Sequence, residues 1–265
     1  MQLTDRVVAI TGAAGGIGSA LARAFAAKGA RVALLDLPGP ALDALAASLG
    51  DAASGIGCDV TDASACRAAI ERAVGRFGGL DVLVNNAGIS HIGRVADTDV
   101  AVLRRVMDVN CFGAIHCTQA ALPHLVARKG MVMVVSSVAG FAPLAGRAGY
   151  AASKHALHGL FESLRVELRS KGVGVGIVCP SFVATDIGKH ALGPDGGVPR
   201  ATRTTTGRPA APERVAAAIV RAVERRQRLL VLSPVGRLSW WLVRAWPAAY
   251  EWIMTRALYR DADFE

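Results

Sequence analysis

Seven short runs rich in Val, Ile and Leu recur along the chain, at residues 6–11, 31–35, 53–58, 81–85, 131–136, 173–179 and 229–232. Each is bounded by glycine or polar residues and reads as a buried strand. Between them, residues 17–28, 63–77, 100–125 and 151–170 carry apolar positions at helical spacing. Strand and helix alternating in this way predicts a doubly wound α/β domain, a seven-stranded parallel sheet with helices on both faces. One domain is expected over residues 1–265, near the upper size at which a single core keeps growing.

Two stretches break the rhythm. Residues 188–209 are rich in Gly, Pro and Thr without periodicity, which predicts a long mobile loop that borders the substrate. Residues 236–265 form an extension holding all four tryptophans, Trp240, Trp241, Trp246 and Trp252, with Arg237 and Arg244 among them. Trp and Arg together suit peripheral contact with a membrane, though Pro234 and Pro247 interrupt the segment and tryptophans equally suit a subunit interface or an active-site cover.

Composition narrows the class. With 52% apolar and 19% charged residues the chain is far from the disordered range. The net charge of +9 is concentrated late: residues 221–244 hold six arginines against Glu224 alone. No basic stripe interleaved with stacking aromatics accompanies it, so nucleic acid is not an expected partner. Cys58, Cys66, Cys111, Cys117 and Cys179 are odd in number, scattered and free of any C-x-x-C spacing. Neither a disulfide framework nor a metal site is expected, and a reducing cytoplasm fits best. The run from Met1 through Asp5 and Arg6 into the first strand leaves no room for a signal peptide.

The first strand ends in Thr11-Gly12-Ala13-Ala14-Gly15-Gly16-Ile17-Gly18, and a helix follows at once. Glycines there let the backbone turn tightly and approach a ligand, while the amides and dipole of the helix start attract a pyrophosphate. Asp36 closes the second strand, 24 residues after Gly12. An acid at that place accepts hydrogen bonds from an adenosine ribose and repels a 2′-phosphate, so NAD is favoured over NADP.

The spacing is Gly-x-x-x-Gly-x-Gly, and three further motifs follow in order: Asn85-Asn86-Ala87-Gly88, Ser137 within Ser-Ser-Val-Ala-Gly, and Tyr150-Ala151-Ala152-Ser153-Lys154. Together they resemble the classical short-chain dehydrogenases/reductases over the stretch from Thr11 to about Asp186, which implies a Rossmann-like fold. The resemblance implies that Gly12, Gly15, Gly16, Ile17 and Gly18 cradle the cofactor, that Asp59 and Val60 meet the adenine, and that Asn86, Ala87 and Gly88 support the sheet beside it. It implies that Pro180, Val183 and Thr185 hold the nicotinamide amide. The family's usual Pro-Gly is here Pro180-Ser181, a departure that bears on those contacts.

A free tyrosine, with a pKa of about 10, is a poor base at neutral pH. Lys154 lies four residues after Tyr150, on the same helix face, where an ammonium favours an ionised phenol. By the resemblance Tyr150 accepts the alcohol proton as hydride moves to the nicotinamide, Ser137 positions the oxygen, and Lys154 holds the ribose and relays the proton with Asn110. Ser136, adjacent on the strand, is expected to face the other way.

Ser90, His91, Phe141, Leu144, Phe182 and Ile187 are the expected pocket walls, mostly apolar. A bulky hydrophobic secondary alcohol or ketone, aryl, alicyclic or steroid-like, would fit. The loop also carries Lys189, Arg200, Arg203 and Arg208 against Asp195, leaving room for an alternative, an NADPH-dependent 3-oxoacyl thioester reductase. A non-catalytic dinucleotide-binding protein is the remaining reading. A homodimer or homotetramer is the assembly the resemblance implies.

Overall fold

The computed structural model describes residues 1–199 and 208–258, except for the side chains of 257 and 258. Its sheet contains β1 (Val7–Thr11), β2 (Arg31–Asp36), β3 (Ala53–Gly57), β4 (Val82–Asn85), β5 (Met131–Val135), β6 (Gly174–Cys179) and β7 (Leu229–Val231). Every strand boundary lies within one residue of the sequence expectation. The order is β3-β2-β1-β4-β5-β6-β7, with every pairing parallel. Strand order reverses between β1 and β4, and a crevice opens beyond the carboxyl ends of those strands.

Alternation along the strands feeds two cores. Val7 and Ala9 of β1, Ala33 and Leu35 of β2 and Val132 and Val134 of β5 pack into one layer. Val8 and Ile10, Val32 and Leu34, and Met131 and Met133 pack into the other. Both sides of the pleat are apolar because both are covered, as a parallel sheet requires. Helices α1 (Gly16–Ala26) and α2 (Pro40–Leu49) cover the second layer. The first is covered by α3 (Ala63–Phe77), α5 (Gly113–Ala127) and α6 (Ala148–Glu167), and α4 (Val100–Met107) packs against α6. Helix α7 (Pro212–Glu224) returns to the second layer, and α8 (Pro234–Ala245) and α9 (Pro247–Leu258) end the described chain against the first. Among the described residues no helix is long and apolar enough to cross a membrane.

Local chemistry marks the ends of α3: the Asp62 carboxylate accepts from the Ser64 and Ala65 amides, and Gly78 closes the helix at φ 79°. Asp81, wholly buried before β4, accepts from Arg6 at 2.7 Å and from the Val7 amide at 2.9 Å, which ties β1 to β4.

One expectation needs correction. Residues 100–125 do not form one helix, because a π-helical turn, Asp108–Phe112, separates α4 from α5. The wider turn adds a residue and rotates α5 relative to α4. Hydrophobic spacing alone does not register a single extra residue, whose cost is met by the contacts of Asn110 inside the turn. Of residues 188–209, the described part is tied to the body: the Leu192 amide donates to the Ser90 carbonyl and the Ile92 amide to the Leu192 carbonyl. Arg200 and Arg203 lie outside the described residues.

Candidate active site

The glycine turn is built so that side chains cannot enter it. A Cβ on Gly12, at φ 63°, would lie 2.8 Å from the Ala87 Cα; one on Gly16 would lie 2.7 Å from the Thr185 methyl. Gly18 has backbone where a Cβ would go, the Gly12 carbonyl and Ala13. Helix α1 starts at Gly16 with no side-chain cap and no acid in its first turn, leaving its amides and dipole for an anion. The turn opens into a cleft of about 450 Å³ at the β1/β4 switch point.

Of the residues expected to meet the cofactor, Gly12, Gly15, Gly16, Ile17, Asp36, Asp59, Val60, Asn86, Ala87, Gly88 and Thr185 line this cleft. Gly18, Pro180 and Val183 stand behind its surface; the Val183 side chain is buried in the core beside the bridge to Ala210. Asp36 is held in place by two amides, Ala14 at 2.8 Å and Leu37 at 2.8 Å. Backbone and hydroxyl bonds from Thr61 hold the Asp59 carboxyl below its usual range. The Asn86 amide group donates to the carbonyls of Thr11 and Gly12, both at 3.0 Å, fastening the second motif to the first. The lining also includes Arg105, Leu37 and Cys58, which no motif announces. The glycine cradle, the uncapped helix start and the fixed carboxylate fit a dinucleotide.

Of the expected catalytic residues, Asn110 and Lys154 stand behind Gly88 of the cleft lining, and Asn110 is joined through Ser153 to the main chain of Tyr150. Asn110, in the π turn, accepts from the Ile89 amide at 2.8 Å and donates to the Ile89 carbonyl and the Ser153 hydroxyl, each at 2.9 Å. Ser153 donates to the Tyr150 carbonyl at 2.8 Å, so the π turn grips the helix turn that carries Tyr150. The Lys154 ammonium donates to the Val135 carbonyl at 2.9 Å and lies 5.7 Å from the Tyr150 ring centre. A Cβ on Gly88 would sit 3.5 Å from Lys154 Nζ, which brings the lysine against the cofactor motif. Burial lowers the Lys154 pKa from its ordinary value, partly opposed by Tyr150. Ser137 follows β5 half-buried, its hydroxyl accepting from the Ala139 amide at 3.1 Å. Ser136 is buried and donates to the Lys154 carbonyl at 3.2 Å, the opposite orientation the alternation predicts.

Ser90 and His91 are wholly buried, and neither His91 ring nitrogen has a hydrogen-bond partner among the described residues. Burial first, then Arg147, lowers the His91 pKa. Phe141 is buried against Trp240, Leu144 packs on the Ala139, Tyr150 and Ala151 cluster, Phe182 is half-buried, and Ile187 lines the cofactor cleft. Sequence reasoning missed Arg147. Its guanidinium sits 4.7 Å over the Tyr150 ring and donates to the Ser90 hydroxyl, setting a second cation beside the phenol. Its position three residues before Tyr150 was the available signal. The cysteines, scattered in sequence, also converge: the sulfurs of Cys58, Cys66 and Cys117 lie within 4.8 Å of one another in the core.

A Gly-lined dinucleotide cleft beside a connected Asn, Tyr and Lys set, on this sheet order, defines a short-chain oxidoreductase. The chain belongs to that family: the family described as short chain dehydrogenase matches residues 6–193. Among curated relatives, Dehydrogenase/reductase SDR family member 7B of Danio rerio is 36% identical over 264 residues, covering 96% of this chain and 85% of that protein. Among solved structures, a short chain dehydrogenase/reductase from Burkholderia phymatum in complex with NAD superposes with a TM-score of 0.83. It is 26% identical, covering 92% of this chain and 94% of that one. The 3-ketoacyl-(acyl-carrier-protein) reductase of Brucella melitensis, complexed with NADH, gives 0.78 at 25% identity, covering 87% and 97%.

Proposed function

We propose that the protein is a dehydrogenase/ketoreductase that prefers NAD and acts on a bulky, hydrophobic secondary alcohol or its ketone. The observation that carries this reading is the pair of hydrogen bonds from Asn110 to Ser153 and from Ser153 to the Tyr150 main-chain carbonyl, which fix the helix turn of Tyr150 and set Lys154 against the cofactor motif. A bound nicotinamide would supply the acceptor or donor of hydride. Tyr150 exchanges the proton of the substrate oxygen, and Ser137 holds that oxygen. Lys154 holds the ribose hydroxyls, its charge favours the ionised phenol, and Asn110 continues the proton path.

Support for NAD comes from Asp36, whose carboxylate is directed by two amides into the cleft. The Burkholderia and Brucella proteins, bound to NAD and NADH, support the same cofactor class. The alternative, reduction of 3-oxoacyl thioesters with NADPH, is favoured by the likeness to the Brucella reductase. It draws less from loop charge, since Lys189 is paired with Asp186 at 2.7 Å.

We place the enzyme in the cytoplasm, as its free cysteines suit, and assemble it as a homodimer or homotetramer. An apolar groove of about 330 Å³ between α5 and α6, lined by Ile115, Leu122, Leu160 and Leu164, supports that assembly. The exposed Trp241, Trp246 and Trp252 support peripheral membrane contact by the C-terminal segment.

The deciding assay is NAD reduction against secondary alcohols from small alicyclic to steroid-sized, with Tyr150→Phe as control. Turnover of a bulky alcohol that the variant abolishes is the expected result. Turnover only of acyl thioesters with NADPH would replace this reading with the alternative.

A further inference from the structure

Helices α8 and α9 divide their side chains unevenly between core and solvent. On α8, Gly236 is buried, and Trp240 and Val243 are partly buried against the core, while Val235, Leu238 and Trp241 point outward, Trp241 at 70% exposure. Trp246 at the junction and Trp252 and Ile253 on α9 are exposed as well. Six of the large apolar side chains most open to water thus fall within 19 residues, far denser than the scattered exposure ordinary surfaces show.

The charges among them decide what covers this face. Within the two helices, between Pro234 and Leu258, stand Arg237, Arg244 and Arg256 against Glu251; Arg260, Asp261, Asp263 and Glu265 follow beyond them in the sequence. Arg244 lies 3.2 Å over the Trp240 ring and Arg256 4.8 Å over that of Trp252. A second copy meeting this face about a two-fold axis would bring arginine rows toward each other, and interface cores are depleted of charge. Indole rings among guanidinium groups instead match the headgroup layer of a bilayer, apolar below and phosphate-rich above.

The inner side of α8 rests on the turn that presents Ser137. A Cβ at Gly236 would lie 3.0 Å from the Val138 methyl, and Trp240 meets Phe141 edge-on at 4.7 Å. Val138 opens the 3-10 turn capped by the Ser137 hydroxyl, and Phe141 follows its end. A single packed layer therefore separates the exposed face from the residue that receives the substrate oxygen.

We infer that α8 and α9 dock on an anionic lipid surface and that docking raises turnover of substrates dissolved in the bilayer. The second half rests on the reading of Ser137 and Tyr150 as the reacting site. The anionic inner leaflet supplies the complementary charge in the cytoplasm.

The test uses the full chain with NAD and phosphatidylcholine vesicles, with and without phosphatidylglycerol. Co-sedimentation is measured at low and high salt, and NAD reduction is followed with one water-soluble alcohol and one bilayer-partitioning alcohol. The expected result is binding only to phosphatidylglycerol vesicles, weakened by salt, with a several-fold rise in kcat/KM for the hydrophobic alcohol alone. Leu238→Ser with Trp241→Ser, both solvent-facing, loses about tenfold or more in partitioning and the vesicle-dependent gain. Its turnover of the soluble alcohol stays unchanged. Arg237→Gln costs about fivefold in binding.

Absence of co-sedimentation overturns the inference, as does binding without a rate effect. A fall in solution mass in the double serine variant overturns it in favour of a second copy. If no alcohol is turned over in any condition, the proposed reaction fails, while co-sedimentation still decides docking.

Discussion

Lys154→Met is expected to make the protein more stable while removing its activity. The ammonium is buried and has one hydrogen-bond acceptor among the described residues, the Val135 carbonyl at 2.9 Å, with the Tyr150 ring 5.7 Å away. Removing an ammonium from water costs several kcal/mol after relaxation, against about 1.5–3 kcal/mol returned by one charge-assisted bond. Methionine fills a similar volume without the charge, although it leaves the Val135 carbonyl without that donor. The net gain in folding free energy is therefore about 1–3 kcal/mol, a rise of roughly 2–10 °C in Tm for a chain of this size. The sign with pH is set by the lowered pKa of Lys154. Between the folded pKa and the ordinary value of 10.5 the unfolded chain binds the extra proton, so wild-type stability rises with pH there. The advantage of Lys154→Met should be full below the folded pKa and shrink as pH approaches 10.5. Urea titrations of both proteins without cofactor, at several pH values, measure this directly, with NAD reduction run in parallel. A variant less stable than wild type at neutral pH, or an advantage that grows with pH, would refute the reasoning.

The same geometry sets the outcome of three other substitutions. Asp81→Ala leaves the buried Val7 amide without its acceptor and Arg6 without its partner, and should cost about 3 kcal/mol, read as a lower urea midpoint at constant m. Gly18→Ala places a methyl against the Gly12 carbonyl and Ala13. Strain of about 1–3 kcal/mol should raise the NAD dissociation constant roughly tenfold to a hundredfold, measured by calorimetry, with the secondary structure retained. Asp36→Ser combined with Leu37→Arg removes the carboxylate from the cleft lining and should shift the NAD to NADP ratio of kcat/KM toward NADP by about a hundredfold or more. An unchanged ratio would remove Asp36 as the selector.

Much of the architecture was legible because local pattern and fold agree. The seven apolar runs mark strands within a residue; the central five are buried on both faces and carry no polar alternation to confuse their ends, while the edge strands β3 and β7 are only partly buried. The glycine turn, the Asn-Asn-Ala-Gly motif and Tyr150 with Lys154 are each local in sequence, so spacing exposes them. Helix α2, short and Ala-rich, announced itself less clearly than the longer segments, whereas α7, absent from the expected helices, carries Val215, Ala216, Ile219, Val220 and Val223 at plain helical spacing.

Tertiary structure decided what depends on residues far apart in the chain. The π turn turns Asn110 inward because Ile89 and Ser153 supply its bonds, and neither is near it in sequence. Arg147 reaches Tyr150 because Ser90, 57 residues earlier, holds its guanidinium. Trp240 and Trp241 are neighbours, yet one meets Phe141 and the other water, since helix geometry sends adjacent side chains apart and only packing chooses the buried side. Sequence determines which residues share a local face; which distant partner that face meets is set by the closed packing of the sheet and its helices.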